Sequence, residues 1–481
     1  MKKILISLLF PFSLHSTSLE NQIQSDLAKI HYPPVAWTIE QPNTLDVAII
    51  GGGMAGLAAD FALQKEKISN IKIFDENLPD EEGAWIKSAR MDSLQSGNRW
   101  MGPALGIPSL TYQTWYESTY GTEAFKNLRN SCPTQSWHEY LCFYRKVLNL
   151  PIKNRMHLTS LKPIDNLIEL TFNETITVYA RKVVLATGRD GSGRLQIPKF
   201  LQEIPKHLYA HTGESIDPTF FSGKKIAVIG SGSSAFYVAA VALENGASSV
   251  DMLIRRSNIS QINKFGQFVF PGLANGFHLL SDVMRCEFFA AAYRAGGVRP
   301  SEEAVKRLKD FKNLHIHYNT HISHITPNKN TLDVHSNHGI TSYDFLVSAT
   351  GYEVNLSCRP ELSLVTPHIL LWKDHVPHQL LQEFPNLGNF PYLGPHFQFL
   401  QARPSSPPLK NIYCFNYGAF LSHGHLTGDV IGISYGAERL AQGIAADFFL
   451  EDASYYLEKI KKWENPDFNI NDYPYLKNLR Q

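Results

Sequence analysis

The chain has 481 residues, enough for two or three domains, and 43% hydrophobic with 19% charged residues is an ordinary globular balance that excludes bulk disorder. A formal net charge of +1 offers no basic surplus for nucleic acid and no acidic solvating tail. The five cysteines, Cys132, Cys142, Cys286, Cys358 and Cys414, form no C-x-x-C pair, which leaves neither a redox dithiol nor a zinc knuckle to be read; the set reads as reduced thiols.

In chain order, Lys2 and Lys3 precede an apolar run over residues 4–12, followed by Ser13, Ser16 and Ser18. This is the layout of a secretory signal peptide over residues 1–18, too short to span a bilayer. Next, residues 45–50 read as an apolar strand entering Gly51-Gly52-Gly53-Met54-Ala55-Gly56, then a helix to about Lys65 and a strand over 71–74. Gly51 suits the tight turn, Gly53 a close approach to pyrophosphate, and Gly56 tight packing of helix on strand. The N–H groups of Met54 and Ala55 at the helix start would meet the phosphate. Asp75 ends the unit, where a carboxylate accepts hydrogen bonds from a ribose diol and repels a 2′-phosphate.

The pattern then repeats. Residues 183–185 form a short buried-strand run ending in Ala186-Thr187-Gly188. A second unit follows: a strand over 225–229, the turn Gly230-Ser231-Gly232-Ser233-Ser234-Ala235, a helix to about Glu244 and a strand over 250–254. Here the third glycine is Ala235, and the unit ends in Arg255 and Arg256, whose guanidinium groups suit a 2′-phosphate. A second Ala349-Thr350-Gly351 follows at a comparable distance. An acid-ended turn and an arginine-ended turn in one chain predict FAD in the first and NADPH in the second. The fold class is α/β, with two Rossmann-like dinucleotide-binding domains, the NADPH domain inserted into the FAD domain. The expected boundaries are 19–205 and 346–450 for the FAD domain, 206–345 for the NADPH domain and 451–481 for a tail. Residues 372–408, rich in Pro, His and aromatics, read as an irregular excursion.

Near the end, a strand over 411–415 leads to Asn416-Tyr417-Gly418, and after Ser422-His423-Gly424 the residues Gly428 and Asp429 precede a helix expected over 430–449. That helix start is expected to stabilise negative charge on a reduced flavin through its dipole. His423 is the acid/base candidate, since an ordinary imidazole exchanges protons near neutral pH. No Ser-His-Asp or metal-ligand constellation is present in the pattern.

Residues 46–56, Ser88-Ala89-Arg90-Met91, 102–110, 186–191, 230–235, Ala349-Thr350-Gly351-Tyr352 and Ser422-His423-Gly424 together carry a resemblance. The chain resembles the class B flavoprotein monooxygenases, and more closely a bacterial group of FAD/NAD(P)-binding oxidoreductases related to urate hydroxylases and aspartate N-monooxygenases. His211-Thr212 is similar to the end of an F-x-G-x-x-x-H-[ST] signature of that class, although Pro205 and His207 occupy its Phe and Gly positions. The resemblance implies that NADPH reduces FAD and that a C4a-(hydro)peroxyflavin formed with O2 oxygenates a small molecule, first of all at nitrogen. It also implies that residues 83–108 run along the isoalloxazine, with Arg90 facing the flavin or pyrophosphate and Trp85 or Trp100 near the ring. Gln95-Ser96-Gly97-Asn98 is neutral where relatives carry a basic residue. Two other readings stay open: a flavin reductase without oxygen insertion, and a non-catalytic secreted flavin-binding factor. NADPH use points to the cytoplasm, against the signal-like N-terminus.

Overall fold

The computed structural model describes residues 16–475 apart from 88, 265, 267–269 and 296–298. Residues 1–15 of the expected signal segment lie outside the described residues, and Ser16 opens the helix α1 (Ser16–Lys29), which buries Leu19, Ile23 and Leu27 in the core. The first dinucleotide unit follows as β1 (Thr44–Ile50), α2 (Met54–Lys65) and β2 (Ile71–Phe74). Every residue of its helix from Met54 to Leu63 is buried, and all but Asp60 are apolar or glycine, so α2 is a core helix rather than a surface one. Helix α5 (Thr134–Val147) touches it through the edge-on pair of Phe61 and Tyr144, with α3 (Tyr112–Tyr120) packed on α5 and α4 (Thr122–Asn127) on α3, and Trp137, Tyr140 and Tyr144 of α5 are fully buried.

The first sheet is completed by β3 (Ile152–Lys153), β4 (Leu158–Ile164), β5 (Leu167–Phe172) and β6 (Ile176–Leu185). Its order is β3-β2-β1-β6-β5-β4, with β1 parallel to both β2 and β6. A short strand β7 (Gly193–Leu195) leads out. The second unit comprises β8 (Tyr209–His211), β9 (Lys225–Ile229), α6 (Ser233–Glu244) and β10 (Ser249–Leu253). An excursion carries α7 (Pro271–Gly276), α8 (Asp282–Arg294) and α9 (Glu302–Leu308) before β11 (Leu314–His317). An antiparallel ribbon, β12 (Ile322–Pro327), β13 (Leu332–Ser336) and β14 (Gly339–Tyr343), precedes β15 (Phe345–Ser348). The second sheet runs β11-β10-β9-β15-β8, all parallel.

Both sheets therefore place their central strand, β1 or β9, beside the strand that ends in Ala-Thr-Gly, β6 or β15. Since β15 pairs with β9 and β8 as far as Ser348, the second sheet runs three residues beyond the expected boundary at 345. After it, β16 (Tyr352–Val354) pairs antiparallel with β7, a two-strand ribbon joining the two domains. The chain then returns through the short α10 (His378–Glu383) and turns to β17 (Ile412–Cys414), parallel to β6, and finishes with α11 (Phe420–His423), α12 (Ile433–Glu451) and α13 (Ala453–Lys461). The long final helix starts at Ile433, three residues later than expected. The N–H groups of Gly432 and Ile433 both turn back onto the carbonyl of Asp429, which closes a turn before the helix begins. All five cysteines are free thiols, and among the described residues no helix is long and apolar enough to cross a membrane.

Candidate functional site

The two glycine turns are built alike. Gly51 holds φ +106°, and a Cβ there would lie 2.5 Å from the carbonyl oxygen of Ala186. Gly230 holds φ +133°, and its Cβ would lie 2.5 Å from the carbonyl oxygen of Ala349. Each turn thus presses on the Ala-Thr-Gly of the neighbouring strand, which explains why both motifs occur twice. At Gly56 a Cβ would come within 1.9 Å of the Gly51 oxygen, so only glycine permits α2 to pack there. Ala235 fills the equivalent position in α6 and is fully buried. Neither Gly53 nor Gly232, the residues before the two helices, offers a side-chain cap. The first-turn N–H groups of α2 (Met54, Ala55, Gly56) and of α6 (Ser233, Ser234) point out of each helix as an anion cradle, the geometry a dinucleotide pyrophosphate requires.

Asp75 is buried, and its carboxylate accepts from Gly52 N at 2.7 Å and from Asn77 N and Nδ2, each at 2.8 Å. Three of about four acceptor positions are therefore spent on bracing the turn, and one remains for a ribose hydroxyl. Arg255 and Arg256 are exposed just beyond β10, at the mouth of the second turn. Gln95 reaches across to that turn and donates from Nε2 to Ser233 Oγ at 2.5 Å, so the neutral 95–98 segment touches the second cradle.

Asn98 was within a segment singled out in the sequence, but its own part was not. It is 1% exposed, and neither its amide oxygen nor its amide nitrogen has a hydrogen-bond partner among the described residues. A buried amide with both ends unpaired is costly, and it matches a ligand that presents a donor beside an acceptor, as a flavin pyrimidine edge does. The glycine cradle and this orphaned amide together fit a flavin dinucleotide.

Thr187 accepts at Oγ1 from Asn416 Nδ2 at 3.0 Å, and Asn416 is fully buried at the end of β17, its backbone oxygen taking Thr427 Oγ1 at 2.7 Å. Gly188, exposed at φ +65°, follows Thr187 at the open side. In the second motif Thr350 donates from Oγ1 to the Gln196 oxygen, and Gly351 takes φ +83°. Gly428 is exposed, and Asp429 pairs with His425 in the turn ahead of α12.

Two candidates make contacts that the sequence did not announce. Arg90 sends Nη1 to the Thr212 oxygen at 2.5 Å and Nη2 to the Glu214 oxygen at 2.7 Å, so it ties the first domain to the segment entering the second. His423 is 1% exposed, with Nε2 on the Gly394 oxygen at 3.0 Å and Nδ1 facing Arg439 Nη1 at 3.3 Å. Burial first, and then the Arg439 guanidinium, hold its pKa well below the ordinary imidazole value. The ring is neutral, donating from Nε2 and accepting at Nδ1. The proton exchange near pH 7 expected of it does not fit this setting, because charging the ring would put a second cation against Arg439. His423 instead positions Arg439 on α12, whose Nη2 also holds the Ala274 oxygen of α7 at 2.6 Å. Trp85 stands edge-on to Trp137 with centroids 6.3 Å apart, and Trp100 is 40% exposed.

Among known proteins, the sequence pattern of the pyridine nucleotide-disulphide oxidoreductases matches residues 48–282. An FAD-dependent urate hydroxylase from Xanthomonas campestris pv. campestris is 30% identical over 458 residues, spanning 94% of this chain and 96% of that protein. The L-lysine 6-monooxygenase of Pseudomonas syringae superposes with a TM-score of 0.66 at 18% identity, over 84% of this chain and 99% of that one. An ornithine N-hydroxylase of Kutzneria sp. 744, in a structure with reduced FAD, NADP+ and L-ornithine, gives a TM-score of 0.66 at 16% identity over the same shares. At these identities the structural likeness is one of fold.

Proposed function

This chain belongs to the family of FAD-dependent urate hydroxylase and is an FAD-dependent monooxygenase; we propose that it draws its electrons from NADPH and inserts one atom of O2 into a small molecule. The balance is substrate–H + NADPH + H+ + O2 giving substrate–OH + NADP+ + H2O. The observation that carries the reading is the pair of unlike turns, one braced by Asp75 and one ending in Arg255 and Arg256. A flavin held by residues 51–56 and the Asn98 amide would supply the redox and oxygen-activating chemistry, and the chain's own residues would bind, orient and shield it.

The residues have separate tasks. Residues 51–56 hold the FAD pyrophosphate on the start of α2, with Thr187 and Gly188 at the adjoining strand end, and the Asn98 amide pairs with the flavin. Residues 230–235 hold the NADPH pyrophosphate, Arg255 and Arg256 take the 2′-phosphate, and Thr350 and Gly351 shape that side. The Gly428-Asp429 turn and the α12 start face the flavin with partial positive charge. Arg90 keeps the two domains in contact and so keeps water from the reacting centre. The reductase alternative lacks support from the cysteines, since all five are free thiols and none is paired as C-x-x-C.

The test is direct. The purified protein is expected to release FAD on denaturation, to bleach with NADPH under anaerobic conditions, and to recolour on O2 with substrate converted. Release of FMN or of no flavin sinks the cofactor assignment. Full recovery of the reducing equivalents as peroxide, with every candidate substrate present, sinks oxygen insertion.

A further inference from the structure

A line of tryptophans and tyrosines leads from the first glycine cradle to the surface. A Cβ on Gly83 would lie 3.6 Å from Gly53 Cα and 3.7 Å from Trp85 Cδ1, which sets Trp85 beside the start of α2. A Cβ on Gly102 would lie 3.0 Å from Trp137 Cη2 and 3.8 Å from Val430 Cγ1, so the tip of the Trp137 ring stands next to the turn before α12. Ring centroids are 6.3 Å apart from Trp85 to Trp137 and 5.5 Å from Trp137 to Tyr112. They are 5.9 Å apart from Tyr112 to Trp115 and again from Trp115 to Tyr120. A second branch leaves Tyr112 through Tyr116 at 5.7 Å and reaches Tyr120 at 4.6 Å. Trp137 and Tyr112 are 1% exposed, whereas Tyr120, the last residue of α3, is 45% exposed.

Spacings of about 4.5–7 Å are ordinary for packed rings, and packing accounts for the middle of the line. It does not account for the two ends. Trp137 Nε1 is buried with no hydrogen-bond partner among the described residues. An indole that has given up an electron finds no acceptor for its proton there and can only pass the vacancy on. Tyr120 has the opposite surroundings. Its hydroxyl donates to Glu139 Oε2 at 2.7 Å, and Glu139 Oε1 accepts from Gln135 Nε2 at 3.0 Å. A base at that distance takes the phenolic proton as the electron leaves. The buried phenols have weaker partners: Tyr112 meets the Ser136 hydroxyl, and Tyr140 and Tyr144, on a side branch from Trp137, donate to the carbonyls of Leu110 and Pro103. The line therefore has a mobile start and a trapping end.

We infer that this line carries single oxidising equivalents away from the flavin site to Tyr120, a route for charge rather than for substrate. A one-electron oxidant of the hydroxyl-radical class, arising where a reduced cofactor leaks electrons to O2, takes one electron from the line and a proton from solvent and ends as water. The electron comes finally from Tyr120, whose proton moves to Glu139, leaving a neutral tyrosyl radical at the surface. A thiol in solution returns one electron, Glu139 returns the proton, and the thiol becomes a thiyl radical and a solvent proton. The sum is HO• + RSH giving H2O + RS•. This inference rests on the flavin being held at residues 51–56 and adds to that reading a means of sparing the site from its own by-products.

The test uses the FAD-loaded protein without NADPH or O2. A blue-light flash makes the bound flavin the electron acceptor, and the sample is frozen and read by electron paramagnetic resonance. The parent is expected to show a tyrosyl signal and Tyr120→Phe to lose it. Glu139→Gln keeps a hydrogen-bonding side chain without the base and should lose most of it. Trp137→Phe keeps an aromatic ring that is hard to oxidise and should lose it as well. Tyr455→Phe, at an exposed tyrosine outside the line, should leave the signal unchanged. No tyrosyl signal from the loaded parent, or a parent-like signal in Tyr120→Phe or in flavin-loaded Trp137→Phe, overturns the route while the flavin enzyme stands. A protein that holds no FAD sinks the flavin reading and this inference with it.

Discussion

Asn98 shows how a single residue can argue for a ligand. Its amide is buried with no partner among the described residues, and such a group costs about 1–3 kcal/mol unless something pairs with it. Asn98→Leu keeps the volume and removes the unpaired groups. The flavin-free variant is therefore expected to melt no lower than the parent, while FAD affinity falls about tenfold, the equivalent of one good hydrogen bond. Thermal melting of apo-protein and flavin titration separate the two effects; loss of apo-stability with unchanged FAD affinity would show that the amide serves the fold alone. Arg255 and Arg256 make the complementary case. They are exposed just after β10, at the place where a dinucleotide fold puts residues that read the ribose, and the proposed 2′-phosphate role makes a direct prediction. Arg255→Ala with Arg256→Ala is expected to raise KM for NADPH about tenfold or more and leave NADH nearly unchanged; equal loss for both cofactors would refute a 2′-phosphate role. Asn98 was not legible in this way, since burial without a partner is a property of the packed chain.

Secondary-structure elements were most legible where one strand, one glycine turn and one helix follow in sequence. The units at β1–α2–β2 and β9–α6–β10 stand within a residue or so of their expected limits. The start of α12 was missed by three residues, because the Asp429 carbonyl captures two N–H groups in a turn that no periodicity announces. The interior of α2 holds a feature that periodicity also hides. Asp60 is fully buried, with Gln64 donating to one oxygen at 2.9 Å and the other without a hydrogen-bond partner. Burial raises its pKa to about 7. A folded-state pKa above the unfolded one means that the stability is fully present in acid and is lost as pH rises through about 7. Asp60→Asn removes that titration. The variant should match the parent below the ordinary carboxyl value of 3.8, gain on it steadily as pH rises to about 7, and exceed it at pH 8 by at most on the order of 4 kcal/mol. Parallel Tm–pH profiles would show that the carboxylate is not the titrating group.

At the scale of the whole molecule, the two turns can work together only if the domains stay in register. Three contacts between distant segments hold them: the β7–β16 ribbon, Gln95 on Ser233, and Arg90 on the Thr212 and Glu214 carbonyls. Arg307 adds a fourth, from α9 to the Arg90 carbonyl and to Asp92. None of these was readable from motif spacing, because each joins residues more than 100 positions apart in the chain and depends on how the second domain is inserted. Their function follows from the chemistry. Reduced flavin meeting O2 must be kept dry until substrate is reached, or its electrons leave as peroxide. Arg90→Ala removes two carbonyl bonds at the domain junction and leaves the glycine turn intact, so FAD content should hold. NADPH-reduced parent protein mixed with O2 in a stopped flow should show a transient near-ultraviolet species before oxidised flavin returns. In Arg90→Ala that species should decay several-fold faster, and the fraction of NADPH recovered as peroxide should rise in proportion. If instead Arg90→Ala loses its flavin while the coupling of the remaining holoenzyme is unchanged, Arg90 acts at the cofactor, as the sequence first suggested, and the junction does not guard the reaction.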